Sequence, residues 1–219
     1  MPRIIDILLS TLVLLILLPF FVPIVVILLL TGEHKVFYSQ TRVGYKNQNF
    51  KILKFATMLS NSANMGSGSL TLKNDPRVLP FGSFLRKTKI NELPQILNII
   101  IGNLSIVGPR PQMQVDFEKY SIEVQNKIYN VRPGLTGIGS IIFRDEESLI
   151  SVASENENPH DFYKRVIAPY KGELEMWYQE KRTLFLDFQL IFMTAWVIFV
   201  PASKLYEKWF KDLPKRNFK

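Results

Sequence analysis

The sequence contains no cysteine, which excludes disulfides, thiolate nucleophiles and cysteine zinc sites and removes any reading of redox compartment. Its only histidines are His34 and His160, a poor basis for a histidine-rich metal centre or a Ser-His-Asp triad. Charge is missing altogether from Ile7 to Leu30, and acidic residues are almost missing from residues 35–89, where Asp75 stands alone against ten basic groups. The Gly/Ser-rich run at residues 60–69 carries no Walker lysine and no G-x-S-x-G serine, so neither a phosphate loop nor a hydrolase elbow is read into it. Internal repeats are absent too. No helix-turn-helix, finger or aromatic RNA-binding signature accompanies the basic charge, which sets nucleic acid aside as a partner.

At 219 residues the chain has room for one soluble domain plus a membrane element. The net charge is +8, concentrated in residues 35–89 and again after residue 181. Basic blocks beside apolar segments point to phosphates, as an anionic lipid surface or as a phosphorylated substrate. The uncharged run is long enough to cross a bilayer core of about 30 Å. Pro19 and Pro23 fall near its middle, where each removes a helix hydrogen bond and bends the axis. Arg3 and Asp6 precede the run and Glu33, His34 and Lys35 follow it. A bent helix entering and leaving one face keeps both polar ends wet; a spanning helix is the alternative. No small-x-small cleavage site follows, so a signal peptide fits poorly. The basic segment after Lys35 puts the soluble part on the cytoplasmic side in either case.

Alternation over Val36–Val43 and Phe50–Phe55, with turn residues between, predicts a β-hairpin. Asn74-Asp-Pro-Arg77 reads as a turn, and Ser83 as the cap of a short helix carrying Arg86, Lys87 and Lys89. Asn91 is placed to cap a helix running from Glu92 through Ile101 and closed by Gly102. That puts Glu92 at a helix N-terminus, where phosphate also prefers to sit. Prolines on both sides of Arg110 stiffen the loop presenting its guanidinium, which suits bidentate phosphate binding. Residues 115–130 read as an amphipathic helix, 144–160 as an acidic helical region, and 162–179 as a helix bent or broken at Pro169 and Gly172. Leu184–Val200 is apolar but short for a span. After it, five basic residues interleave with Leu205, Tyr206, Trp209, Phe210 and Leu213, the mixture of an interfacial segment on an anionic leaflet.

Taken in order, several of these pieces resemble one family, the bacterial sugar transferases or monotopic phosphoglycosyl transferases. They are Gln40-Thr-Arg-Val-Gly44, Lys54-Phe55, Asn74-Asp-Pro-Arg77, Asn91-Glu-Leu-Pro-Gln95, Ser105-Ile-Val-Gly-Pro-Arg-Pro111 and Arg132-Pro-Gly-Leu-Thr-Gly137. The resemblance runs from the Arg3/Asp6 start to about Trp196. It implies a mainly helical α+β fold with a proline-broken re-entrant membrane helix (1–32), a cytoplasmic transferase domain (33–200) holding one β-hairpin, and a basic, aromatic interfacial tail (201–219). Pro19, Pro23 and Trp209 are the expected membrane residues.

The implied activity moves a sugar 1-phosphate from a nucleotide-sugar substrate, usually a UDP-sugar, to polyprenyl phosphate, giving polyprenyl-diphosphate sugar and UMP at the bacterial cytoplasmic membrane. Membrane lipids are partners by the same token, and a homo-oligomer is left open. The family works with Mg²⁺ and an Asp-Glu dyad whose aspartate forms a covalent phosphosugar intermediate. By position Glu92 matches the dyad glutamate and metal ligand. Lys54 matches the active-site lysine, and Arg86, Arg110 and Arg77 the phosphate-binding arginines. Asn91, however, occupies the place of the nucleophilic aspartate; Ala56 and Ser140 stand where arginine and glutamine are common. Three accounts follow: Glu92 is itself the nucleophile; Glu92 positions substrate for direct attack by polyprenyl phosphate, with Asp75, Asp145, Glu146 or Glu147 completing the metal site; or the chain binds polyprenyl phosphate or a partner enzyme without catalysis.

Overall fold

A computed structural model describes residues 1–218 of the chain. One long helix, α1 (Arg3–Leu30), precedes a mainly helical body containing two small sheets. The helix runs through Pro19 and Pro23 without ending. It is long and apolar enough to cross a membrane by length and composition. Leu8, Leu12, Leu15, Ile16, Leu18 and Phe20 are exposed along it, an apolar surface too large for an ordinary water-facing helix.

Both ends of α1 are tied to the body. Asp6, expected to stay wet, is instead buried, accepting hydrogen bonds from the Ser105 hydroxyl (2.9 and 3.0 Å) and the Ile106 N–H (2.9 Å). A carboxylate sealed in this way needs such charge-assisted bonds to offset its desolvation. Arg3 donates to the carbonyl of Ile100 (2.8 Å), at the C-terminal end of α3 (Gln95–Ile101), where positive charge complements the helix dipole. At its other end Leu28 is buried with Phe55 and Leu85, and Phe21, Ile24 and Val25 join that cluster.

The hairpin forms as its alternation predicts: β1 (Phe37–Val43) pairs antiparallel with β2 (Asn49–Phe55), setting Phe37 opposite Phe55 and Val43 opposite Asn49. A helix then finishes the open edge of β2. The Asn98 side chain of α3 accepts from the Leu53 N–H (2.9 Å) and donates to the Lys51 carbonyl (2.8 Å), standing in for a missing strand. Helix α2 (Pro80–Lys87) begins on Pro80, not on a Ser83 cap, because proline already fits the first turn, where the N–H has no partner.

Residues 115–130 make two short helices, α4 (Gln114–Phe117) and α5 (Ile122–Lys127). A second sheet, unforeseen in the sequence, pairs β3 (Ser105–Val107) with β4 (Gly134–Thr136) in parallel. Helices α6 (Ile138–Ile142), α7 (Glu146–Ala153) and α8 (Pro159–Phe162) follow. A π-turn over Tyr163–Ile167 leads into α9 (Ala168–Lys181), so the irregularity precedes Pro169, and Gly172 sits inside an unbroken helix. Gly172 packs on Val124 of α5.

Helix α10 (Leu184–Phe199) buries Leu186, Leu190, Met193 and Val197 and exposes Phe185, Phe188, Phe192 and Phe199. Trp209 of α11 (Leu205–Trp209) stacks on Phe192 with centroids 5.3 Å apart. The main core gathers Val107, Tyr129, Ile138, Tyr163, Ile167, Leu174, Tyr178 and Leu190 between α6, α9, α10 and the second sheet. Lys219, the last residue of the tail, lies outside the described residues.

Candidate active site

The site is assembled from three segments, two of which leave the sheets. Lys54 comes from the end of β2. Glu92 comes from a 3-10 turn (Ile90–Glu92) entered through Lys89 in the left-handed region, φ 60°. Arg110 comes from the loop after β3. The Arg110 loop is fixed main chain to main chain: Gly108 N–H donates to Thr136 O and Gly134 N–H to Pro109 O, each at 2.9 Å. A Cβ on Gly108 would lie 2.4 Å from Arg132 O, and one on Gly134 would lie 2.1 Å from Gly108 N, so this joint closes only with glycine. Tyr129 completes the clamp, its hydroxyl donating to Arg110 O (2.8 Å) and accepting from Gln112 N–H (2.9 Å).

Glu92 Oε1 accepts from Lys54 Nζ at 3.2 Å and from Arg110 Nη2 at 2.7 Å, while Oε2 takes one long bond from Arg110 Nη1 at 3.4 Å. Burial opposes ionisation of this carboxyl, but Arg110 and then Lys54 overcome it and hold Glu92 well below the usual carboxylate range. Glu92 in turn raises Arg110 above its ordinary value. Burial, reinforced by Arg110 and Arg42, brings Lys54 down to about 7 against the pull of Glu92. Burial likewise lowers Lys89 and Arg42. Lys89 and Arg42 join the cluster; Arg42 lies within the Gln40–Gly44 motif and Lys89 beside the Asn91–Gln95 motif, although neither was assigned a role from the sequence.

These groups line a cavity of about 950 Å³, at the large end of the roughly 300–1,000 Å³ of small-molecule sites. Nine cationic side chains and five carboxylates stand on its walls, a surplus suited to a polyanionic substrate.

Two sequence expectations change. Arg77 is not free to bind phosphate: it is buried, with its guanidinium on Asp75 (2.6 and 2.9 Å), on the carbonyls of Ser62, Met65, Gly68 and Leu70, and on Ser67 Oγ. It holds the loop of residues 60–75, one wall of the cavity. Asn91 makes no cap hydrogen bond; it is buried, lines the cavity, and its Oδ1 has no partner. Arg86 lines the same cavity but pairs with Glu147, with Met58 Sδ 3.7 Å from its Nη1.

The other carboxylates considered beside Glu92 are each engaged with a cation: Asp75 with Arg77, Glu146 with Lys171, Glu147 with Arg86 and Asp145 with Arg216. No cluster of three or more His, Asp or Glu able to hold a metal occurs among the described residues. Mg²⁺ commonly binds through one or two carboxylates plus substrate phosphates and water. Glu92 Oε2 takes a single long bond and Asn91 Oδ1 is an unpartnered oxygen, oxygen donors whose chemistry fits an ion carried in with a diphosphate.

Comparison with known proteins supplies the family. The profile of the family described as bacterial sugar transferase matches residues 1–201. The chain belongs to the bacterial sugar transferase family. It is 38% identical over 157 residues to the exopolysaccharide production protein ExoY of Sinorhizobium fredii, covering 65% of this chain and 69% of that one. It is 32% identical over 197 residues to the UDP-glucose:undecaprenyl-phosphate glucose-1-phosphate transferase of Escherichia coli, covering 89% and 39%. With the undecaprenyl-phosphate galactose phosphotransferase of Salmonella typhimurium it shares 31% over 175 residues, covering 74% and 33%. The match thus spans about two fifths or less of the length of these two transferases.

Proposed function

We propose that this protein transfers a sugar 1-phosphate from a UDP-sugar to polyprenyl (undecaprenyl) phosphate, the priming step of surface glycan assembly, at the cytoplasmic face of the bacterial inner membrane. The observation that carries the reading is the Lys54–Glu92–Arg110 cluster in a large basic cavity, on a body tied to both ends of an exposed apolar helix. The names of the Escherichia coli and Salmonella relatives supply the acceptor, undecaprenyl phosphate.

Phosphoryl transfer asks the protein mainly for positioning and for charge to meet the developing anion. Arg110 and Lys54 supply that charge, with Arg86 on the same wall, and Glu92 fixes the first two relative to each other. Mg²⁺, when bound by Glu92 and the Asn91 amide oxygen, would add neutralisation of the diphosphate. Asn91 is uncharged, and Glu92 is shared between two cations, which damps its nucleophilicity. A direct displacement is the route these residues favour. A polyprenyl-phosphate oxygen bonds to the β-phosphorus, the bond from that phosphorus to the bridging oxygen breaks, and UMP leaves with the electron pair.

Docking of both ends of α1 on one body is the arrangement a re-entrant helix needs. A straight 28-residue helix would separate its ends by about 42 Å. Labelling of Arg3→Cys from the cytoplasmic side is expected, and periplasmic labelling would mean a span.

The test of activity is UMP release by protein in detergent with undecaprenyl phosphate, Mg²⁺ and a panel of UDP-sugars. Glu92→Gln is expected to abolish it. A folded protein releasing no UMP with any sugar, yet still binding polyprenyl phosphate, would establish the non-catalytic reading that Asn91 raises.

A further inference from the structure

Beyond the end of α1, Gly32 turns the chain in the left-handed region (φ +61°), and a Cβ on it would meet Leu79 Cδ1 at 2.9 Å. Behind that turn lies a second cavity of about 230 Å³, walled mainly by Leu28, Ala56, Met58, Leu79, Pro80 and Phe81. Its two charged neighbours are both occupied with Ser60: Glu33 accepts from the Ser60 N–H at 2.8 Å and from its hydroxyl, and Lys35 donates to that hydroxyl at 2.7 Å. The walls are therefore left apolar. Met58, Leu79 and Pro80 line the active-site cavity as well, so the two spaces adjoin along these three side chains. Arg86 reaches that shared wall, with its Nη1 3.7 Å from Met58 Sδ.

We propose that this side cavity receives the first isoprene units of the acceptor lipid, with its phosphate among Arg86, Arg110 and Lys54. The inference rests on the transferase reading above, because that reading supplies a ligand with a phosphate head and a branched apolar tail. Room is sufficient: an apolar protein cavity of about 150 Å³ already takes up benzene. The shared wall favours the same occupant, since a tail that passes Met58 and Leu79 from the phosphate site has the apolar side cavity directly beyond it. The exit is suited to a membrane lipid too, because Leu29 and Leu30 at the end of α1, and Phe84 of α2, are exposed. A phospholipid acyl chain would find the same walls but would bring no phosphate monoester into the arginine cluster.

The experiment measures binding of farnesyl phosphate, dodecyl phosphate, inorganic phosphate and UDP by calorimetry to the full chain in phosphatidylcholine nanodiscs. It compares the wild type with Ala56→Leu, which fills the cavity from within, and with Thr31→Leu, which narrows it from an exposed position. Farnesyl phosphate is expected to bind the wild type more tightly than dodecyl phosphate or inorganic phosphate. Each variant is expected to weaken farnesyl phosphate by about tenfold or more, as loss of buried apolar area requires, while UDP binding stays unchanged. Unchanged farnesyl phosphate affinity in both folded variants would overturn the proposal. So would equal weakening of UDP, or dodecyl phosphate binding as tightly and weakening in parallel, which would mark an acyl-chain slot. The expected binding pattern without UMP release in the activity assay would sink the transferase reading alone and leave the lipid slot standing.

Discussion

Replacing Glu175 by glutamine should remove a large alkaline penalty on stability. Glu175 lies on α9, about 2% exposed, and its Oε2 has no hydrogen-bond partner. Burial pushes the carboxyl from its ordinary 4.5 up to about 8, against the opposing pull of the Arg110 main-chain N–H and of Lys171. Lys171 is itself committed to Glu146 at 2.6 Å, so it does not offset the burial. Between the two values the folded protein keeps a proton that the unfolded chain has released, so stability falls as pH rises from 4.5 through about 8. At ~1.36 kcal/mol per pKa unit the whole loss approaches roughly 5 kcal/mol. Glutamine keeps the shape and does not titrate. Glu175→Gln should therefore match the wild type near pH 5 and exceed it by roughly 3–5 kcal/mol near pH 9. Denaturant unfolding in detergent across that range measures the difference. Parallel stability curves for the two proteins would refute the reasoning. The Arg110 loop is the part of the site that feels this proton, since its main chain lies against the carboxyl.

Asn91→Asp sets a carboxylate where the family resemblance places one. Under direct displacement UMP release should stay the same or fall, because added negative charge in the cavity opposes the diphosphate, and a rise of about tenfold or more would refute direct displacement. Arg77→Ala leaves Asp75 buried without its cation and should destabilise the fold by about 3–5 kcal/mol, read as a lower denaturation midpoint; a loss below about 1 kcal/mol would show that the loop does not need it. Asp6→Ala strips the partners of Ser105 and Ile106 and should cost about 2–4 kcal/mol. Protease cleavage near the start of α1 should rise with it, and unchanged protection would contradict the anchoring described above.

What the sequence revealed depended on how local the cause was. The hairpin, the long apolar helix and the glycine that ends α3 at φ +110° each follow from patterns within a few residues. Lys54, Glu92 and Arg110 were named from their motifs, and the structure brings all three together. Arg77 looked the same as Arg110 in the sequence, an arginine beside proline. Only the fold reveals that a ring of carbonyls from residues 62–70 has used up its donors. The pairing of β3 with β4 was hidden because three-residue strands carry too little alternation to register. Glu175 was equally invisible: its depth comes from α6 and the Arg110 loop, and a single glutamate on a polar helix gives no sign of it.

The joint between Gly108 and Gly134 has a consequence for how this site can change. Arg110 is carried by main chain pressed on main chain, with Tyr129 as the one core side chain that grips its carbonyl, so its position owes little to the side chains lining the rest of the cavity. The cavity walls can then be rebuilt for a different sugar, by selection or by an engineer, without shifting the phosphate contact. The freedom is paired with a rigid boundary, because a single methyl group at either glycine would pry the two loops apart. Substrate preference and phosphate grip are thus separately adjustable in this architecture, with one broad and tolerant and the other confined to a pair of positions that admit no side chain.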